Sequence, residues 1–200
     1  MTSLPKYKFF KNDKSDTLDI VLNGMDFDMD SPFIKSVVDV CKQLGHSVLS
    51  FNYPFTERGE DHSSGPELRE EKLALRKLMQ EVQADGYKTI RLVGKSLGAI
   101  VAGEFLKAIP KVAQKKFTLI VLGYPTKYMD ISPFTGKIYI IQGEKDKNGS
   151  VAEVKKHLTN TKSKSIEYFE VKGADHSFRD PITKEPIYEN EALNLLSSID

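Results

Sequence analysis

The chain has little of what would mark several common classes of protein. It holds a single cysteine, Cys41. One thiol cannot form an internal disulfide framework or, by itself, a cysteine-based metal cluster. Charge of one sign is not in excess: 29 basic and 28 acidic residues give a net charge of +1. Without a global basic field, nucleic acid is not an expected partner. No apolar run approaches the ~20 residues of a membrane-spanning helix. Met1-Thr2-Ser3-Leu4-Pro5-Lys6 carries no apolar stretch of the kind found in secretory leaders. A soluble, cytoplasmic protein is expected. Internal repeats, low-complexity stretches and linkers are also missing, so residues 1–200 read as one domain, long enough for a sizeable core.

What is present alternates. Strands are expected at Tyr7–Phe10, Leu18–Leu22, Ser47–Asn52, Thr89–Val93, Phe117–Leu122, Lys137–Gln142 and Ser165–Val171. Helical periodicity falls between them. Ser31 and Pro32 suit a helix start, Ile34, Val37, Val38, Cys41 and Leu44 share one face, and Gly45 ends it. Cys41 is therefore a core residue. Pro66 is expected to open a second helix, with Leu68, Leu75, Leu78, Met79 and Val82 on its buried side. A helix follows Gly98, another begins at the capping-box pattern Ser150–Glu153, and the last runs from about Glu189. The run Phe117–Leu122, apolar but for Thr118, fits a central parallel strand covered on both faces. The expectation is a three-layer α/β sandwich with a mostly parallel central sheet.

The densest chemical signal is Gly94-Lys95-Ser96-Leu97-Gly98, between a strand and a helix. G-x-S-x-G at such a junction makes a sharp turn that lifts a serine hydroxyl out of the sheet and sets it at a helix N-terminus. Gly94-Lys95-Ser96 also copies the end of a phosphate loop, but that motif needs a glycine where Thr89 stands, and Thr89–Val93 is a mostly β-branched, apolar strand and not a glycine-rich loop. A reactive serine needs a base, and the base needs an orienting group. In doubly wound sheets such groups gather past the C-terminal ends of strands. Asp146 follows one later strand and His176 the next, so the order is Ser96, Asp146, His176. Glu144 and Asp175 are rival carboxylates. The bland readings are a turn aspartate and a loop histidine. His46, His62 and His157 have weaker cases, at a strand start, in a loop and mid-helix.

A second pattern concerns charge stabilisation. The N–H of Leu97 follows the nucleophile, and the loop Asn23-Gly24-Met25 follows an early strand. The N–H of Met25 is the expected second donor, with Gly24 permitting the turn or supplying the donor itself. A plain Asn-Gly turn is the alternative.

At these residues the chain resembles the α/β-hydrolase family, and within it the small group that includes testis-expressed protein 30 and relatives of dienelactone hydrolase. The likeness extends to Asn23–Phe33 and Phe51–Gly59 and covers almost the whole chain. Asn23 stands where many members have histidine, and the nucleophile is serine where dienelactone hydrolases use cysteine. The resemblance implies a Ser96–His176–Asp146 triad acting through an acyl-enzyme on a small carboxylic ester or thioester, with no cofactor or metal. Because some relatives serve protein complexes, a hydrolase-shaped interaction module is the alternative. Only Gly123–Gly136 separates the strands where larger members insert a helical cap. A minimal, cap-less α/β-hydrolase fold is expected, preferring short acyl groups, with an open cleft walled by Met25, Phe27, Tyr53, Phe55 and Tyr124. The charged loop Glu57–Gly65 is expected to make a poor lid.

Overall fold

A computed structural model describes residues 4–163 and 165–199. Met1, Thr2, Ser3, Lys164 and Asp200, which include half of the N-terminal stretch read above for a leader pattern, lie outside the described residues. Seven strands form one sheet in the order β1-β3-β2-β4-β5-β6-β7. They are β1 (Tyr7–Phe10), β2 (Thr17–Leu22), β3 (Ser47–Phe51), β4 (Thr89–Lys95), β5 (Phe117–Leu122), β6 (Lys137–Gly143) and β7 (Ile166–Val171). Edge strand β1 runs antiparallel to β3, and all other pairings are parallel. The C-terminal ends of β2 to β7 therefore share one rim.

Alternation along the strands divides the core in two. Ile20, Leu92, Leu119, Val121 and Ile140 point to one face, where they meet helices α3 (Arg69–Glu81), α4 (Leu97–Lys107) and α6 (Val151–His157). Val21, Val93, Ile120 and Ile141 point to the other, against α1 (Pro32–Gln43) and α7 (Glu189–Ser197). Two remaining short helices, α2 (Pro54–Glu57) and α5 (Lys111–Gln114), have no counterpart in the sequence pattern. Each spans only four residues, too few to carry a period. The structure is the expected three-layer α/β-hydrolase fold. No cap domain interrupts it: residues 123–136 contain turns but no helix.

Several local expectations need correction. Pro66 does not open α3. Leu68 adopts a left-handed conformation (φ 48°) and the helix starts at Arg69. The turn is held because buried Glu71 accepts hydrogen bonds from the backbone and hydroxyl of Ser64. Ser31 occupies the N-cap position of α1, but its hydroxyl bonds Asp28 in place of the helix amides. The capping box at Ser150 and Glu153 forms as expected.

Candidate active site

The strand-to-helix junction after β4 is tight because its glycines leave no room for side chains. A Cβ on Gly98 would stand 2.0 Å from the Leu22 carbonyl oxygen, and one on Gly94 would stand 2.5 Å from the Ala99 nitrogen. The helix start is thereby pressed against β2. Ser96 lies between them at φ 49°, ψ −108°, a conformation that L-residues avoid unless their surroundings impose it. Its hydroxyl faces the common rim of strand ends.

Three side chains meet there. His176, in the loop after β7, places Nε2 2.8 Å from Ser96 Oγ and Nδ1 2.7 Å from Asp146 Oδ2. A carboxylate only accepts, so Nδ1 carries the proton and Nε2 is left to accept from the serine hydroxyl. The expected residues Ser96, Asp146 and His176 are thus one hydrogen-bonded chain. The rival carboxylates point elsewhere. Glu144 accepts from the Gly173 amide, and Asp175 is occupied by the amides of Ser177 and Arg179 and by the Lys184 ammonium.

Asp146 is buried and held by two further hydrogen bonds. Asn148 N–H donates to Oδ1 at 2.8 Å, and Gln142 Nε2 donates to Oδ2 at 2.7 Å. Gln142, itself fully buried, is fixed in turn by the Gly149 carbonyl and the Tyr124 amide. Sequence reasoning passed over Gln142. Its signal was a polar side chain closing the apolar run Ile138–Ile141.

Leu97 opens α4. A first-turn amide has no acceptor within its own helix, so the N–H is available to a ligand at Ser96. Met25 is exposed and lies on the same cleft as Ser96 and Leu97. That cleft has a volume of about 520 Å³. Its apolar walls come from Met25, Leu68, Ile100, Pro125 and Tyr128, and His62 and Asn148 add polar edges.

The expected substrate walls are otherwise corrected. Tyr53, Phe55 and Tyr124 are all fully buried in the core. Tyr53 stacks on Phe55 at 5.7 Å, and the Tyr124 hydroxyl donates to the Met129 carbonyl. Helix α2 turns Phe55 inward, which is why it never reaches the cleft. Gly24 does not line the cleft, and a Cβ on it would stand 3.2 Å from the Phe27 ring and 3.5 Å from Lys95 Cγ. The loop from residue 57 to 65, expected only to make a poor lid, contributes to the wall: His62, Ser63 and Gly65 line the cleft, and Leu68 follows at its left-handed turn. Among the described residues no cluster of metal-ligating side chains occurs. No described helix is long and apolar enough to cross a membrane.

Comparison with known proteins agrees with this architecture. An α/β serine hydrolase homologue from Coxiella burnetii superimposes with a TM-score of 0.73 at 17% identity, over 96% of this chain and 89% of the other. An esterase from Pyrococcus furiosus gives 0.69 at 16% identity, over 96% and 84%. A serine hydrolase from Xanthomonas campestris, described as lacking a lid, gives 0.68 at 20% identity, over 95% and 85%. No curated protein matches in sequence. The family described as an alpha/beta hydrolase domain matches residues 20–197. With nearly the whole chain so matched, the protein belongs to the α/β-hydrolase family.

Proposed function

We propose that the protein is a serine hydrolase that cleaves small carboxylic esters or thioesters. The observation that carries this reading is the Ser96–His176–Asp146 chain, with links of 2.8 and 2.7 Å at the mouth of an apolar cleft. Ser96 Oγ attacks the carbonyl carbon while His176 Nε2 takes its proton. Asp146 holds the ring in the correct tautomer and stabilises the imidazolium. The N–H groups of Leu97 and Met25 face the developing oxyanion, each worth roughly 3 kcal/mol by analogy with other such donors. Collapse breaks the ester or thioester bond, and His176 returns the proton to the leaving oxygen or sulfur. Water then repeats the sequence on the acyl-enzyme, regenerating the serine.

The missing cap and the cleft's modest volume favour short acyl groups. Each methylene left in water forfeits about 0.8 kcal/mol of binding. Ile100 and Leu68 supply the apolar surface for the acyl part. The test is labelling with a fluorophosphonate probe followed by a panel of esters and thioesters. Covalent labelling of Ser96 with turnover of short acyl substrates is the expected result. A folded protein that neither labels nor hydrolyses any of them refutes the proposal and favours a binding role for the same fold.

A further inference from the structure

Lys95, the residue before Ser96, is 1% exposed, yet it carries an amine. A Cβ on Gly24 would stand 3.5 Å from its Cγ, and Nζ donates to the backbone carbonyl of His176 at 2.6 Å. Nζ also lies 5.4 Å from the centroid of the Phe178 ring, two residues further along the same loop. Gly123, at φ +80°, closes the space from above. A Cβ there would stand 3.0 Å from Nζ and 3.1 Å from His176 Cε1. The amine is therefore wedged under the loop that carries the histidine. We infer that Lys95 is a positioning residue: its ammonium holds the His176 loop and so sets the imidazole between Ser96 and Asp146. The inference rests on the serine-hydrolase reading.

The charge matters as well as the contact. An ammonium makes a charge-assisted hydrogen bond to the carbonyl and is attracted to the face of Phe178. A neutral amine keeps only an ordinary hydrogen bond. The groups facing Nζ are Asp146 from the loop after β6, Asp175 and the His176 carbonyl from the loop after β7, and Asp26 from the loop after β2. Burial pushes the amine down to about 8, against the opposing pull of those three carboxylates. Catalysis then depends on a second proton besides that of His176, and it is lost in the mildly alkaline range.

The experiment compares wild type with Lys95→Met across the neutral-to-alkaline range. It uses the rate of fluorophosphonate labelling, corrected hydrolysis of p-nitrophenyl acetate, and the imidazole ring signals of His176 in NMR. The wild-type rate should fall as pH rises through about 8, and the His176 signals should shift with the same midpoint. Lys95→Met should melt no lower than wild type. It should react between about ten and a hundredfold more slowly near neutrality, as a displaced catalytic group does, with no such fall and no such shift. Wild-type rates and an unchanged alkaline fall in Lys95→Met overturn the inference. So does a variant that melts lower and is slowed equally at every pH, which is the behaviour of a core-packing residue. If wild type never labels, the hydrolase reading fails separately. The His176 signals then decide: a midpoint near 8 that vanishes in Lys95→Met supports positioning, and indifferent signals overturn it.

Discussion

Replacing Lys95 by methionine should stabilise the protein at neutral pH. Burial lowers the amine from its ordinary value of 10.5 to about 8. The difference is about 2.5, and each unit corresponds to about 1.4 kcal/mol, so the buried ammonium costs the folded state roughly 3 kcal/mol. The unfolded chain keeps the proton up to about pH 10.5, whereas the folded protein releases it near 8. Between those limits the unfolded state binds more protons, so stability rises with pH. The cost is full below about pH 8 and gone above 10.5. Methionine fills the volume of the stem without a charge. Urea unfolding of both proteins should therefore give a gap of roughly 3 kcal/mol in favour of Lys95→Met near neutrality, closing as pH approaches the upper limit. Such a gap is large against the ~5–15 kcal/mol stability of a typical domain. A variant less stable than wild type at neutral pH, or a gap that does not change with pH, refutes the reasoning.

Other outcomes follow from the same site. Asp146→Asn should lower kcat by about 10⁴ through the wrong histidine tautomer, whereas Glu144→Gln and Asp175→Asn should leave it near wild type; steady-state kinetics of the three variants decide between the carboxylates. Ser96→Gly removes a side chain from a left-handed backbone position and should raise stability by about 1 kcal/mol while abolishing turnover, read by thermal unfolding. In a nitrophenyl ester series, kcat/KM should stop rising by about eight acyl carbons, since the apolar wall is short. Ile100→Trp should bring that limit to shorter chains, and a steady rise beyond eight in wild type would mean a deeper channel than the cleft described.

The sheet was legible because its strands had few alternatives. Phe117–Leu122 is apolar but for Thr118, and a six-residue run of that kind, rich in β-branched residues, is short for a helix and fits a strand covered on both faces; the structure matches it residue for residue. The three members of the hydrogen-bonded chain were legible because each lies just past a strand end, where parallel topology brings distant sequence together. What failed was the facing of individual side chains. Tyr53, Phe55 and Tyr124 follow strand ends as a cleft wall would, but nothing in their spacing tells an inward ring from an outward one. The short helix at Pro54–Glu57 turns that segment inward. The reverse error hid the 62–68 segment: a charged loop reads as solvent-facing, although Glu71 pins it through Ser64 and brings Leu68 to the cleft. Lys95 was visible only as part of a false phosphate loop, since no sequence pattern reports that a lysine is buried under a histidine loop.

The central claim is that Ser96 is a nucleophile activated by His176. Its most direct test is fluorophosphonate labelling of the folded wild-type protein, located by peptide mass spectrometry, beside Ser96→Ala. The expected result is one label, on the peptide containing Ser96, absent in Ser96→Ala at an unchanged melting temperature. No label on the folded wild type, or a label that persists in Ser96→Ala, would contradict it.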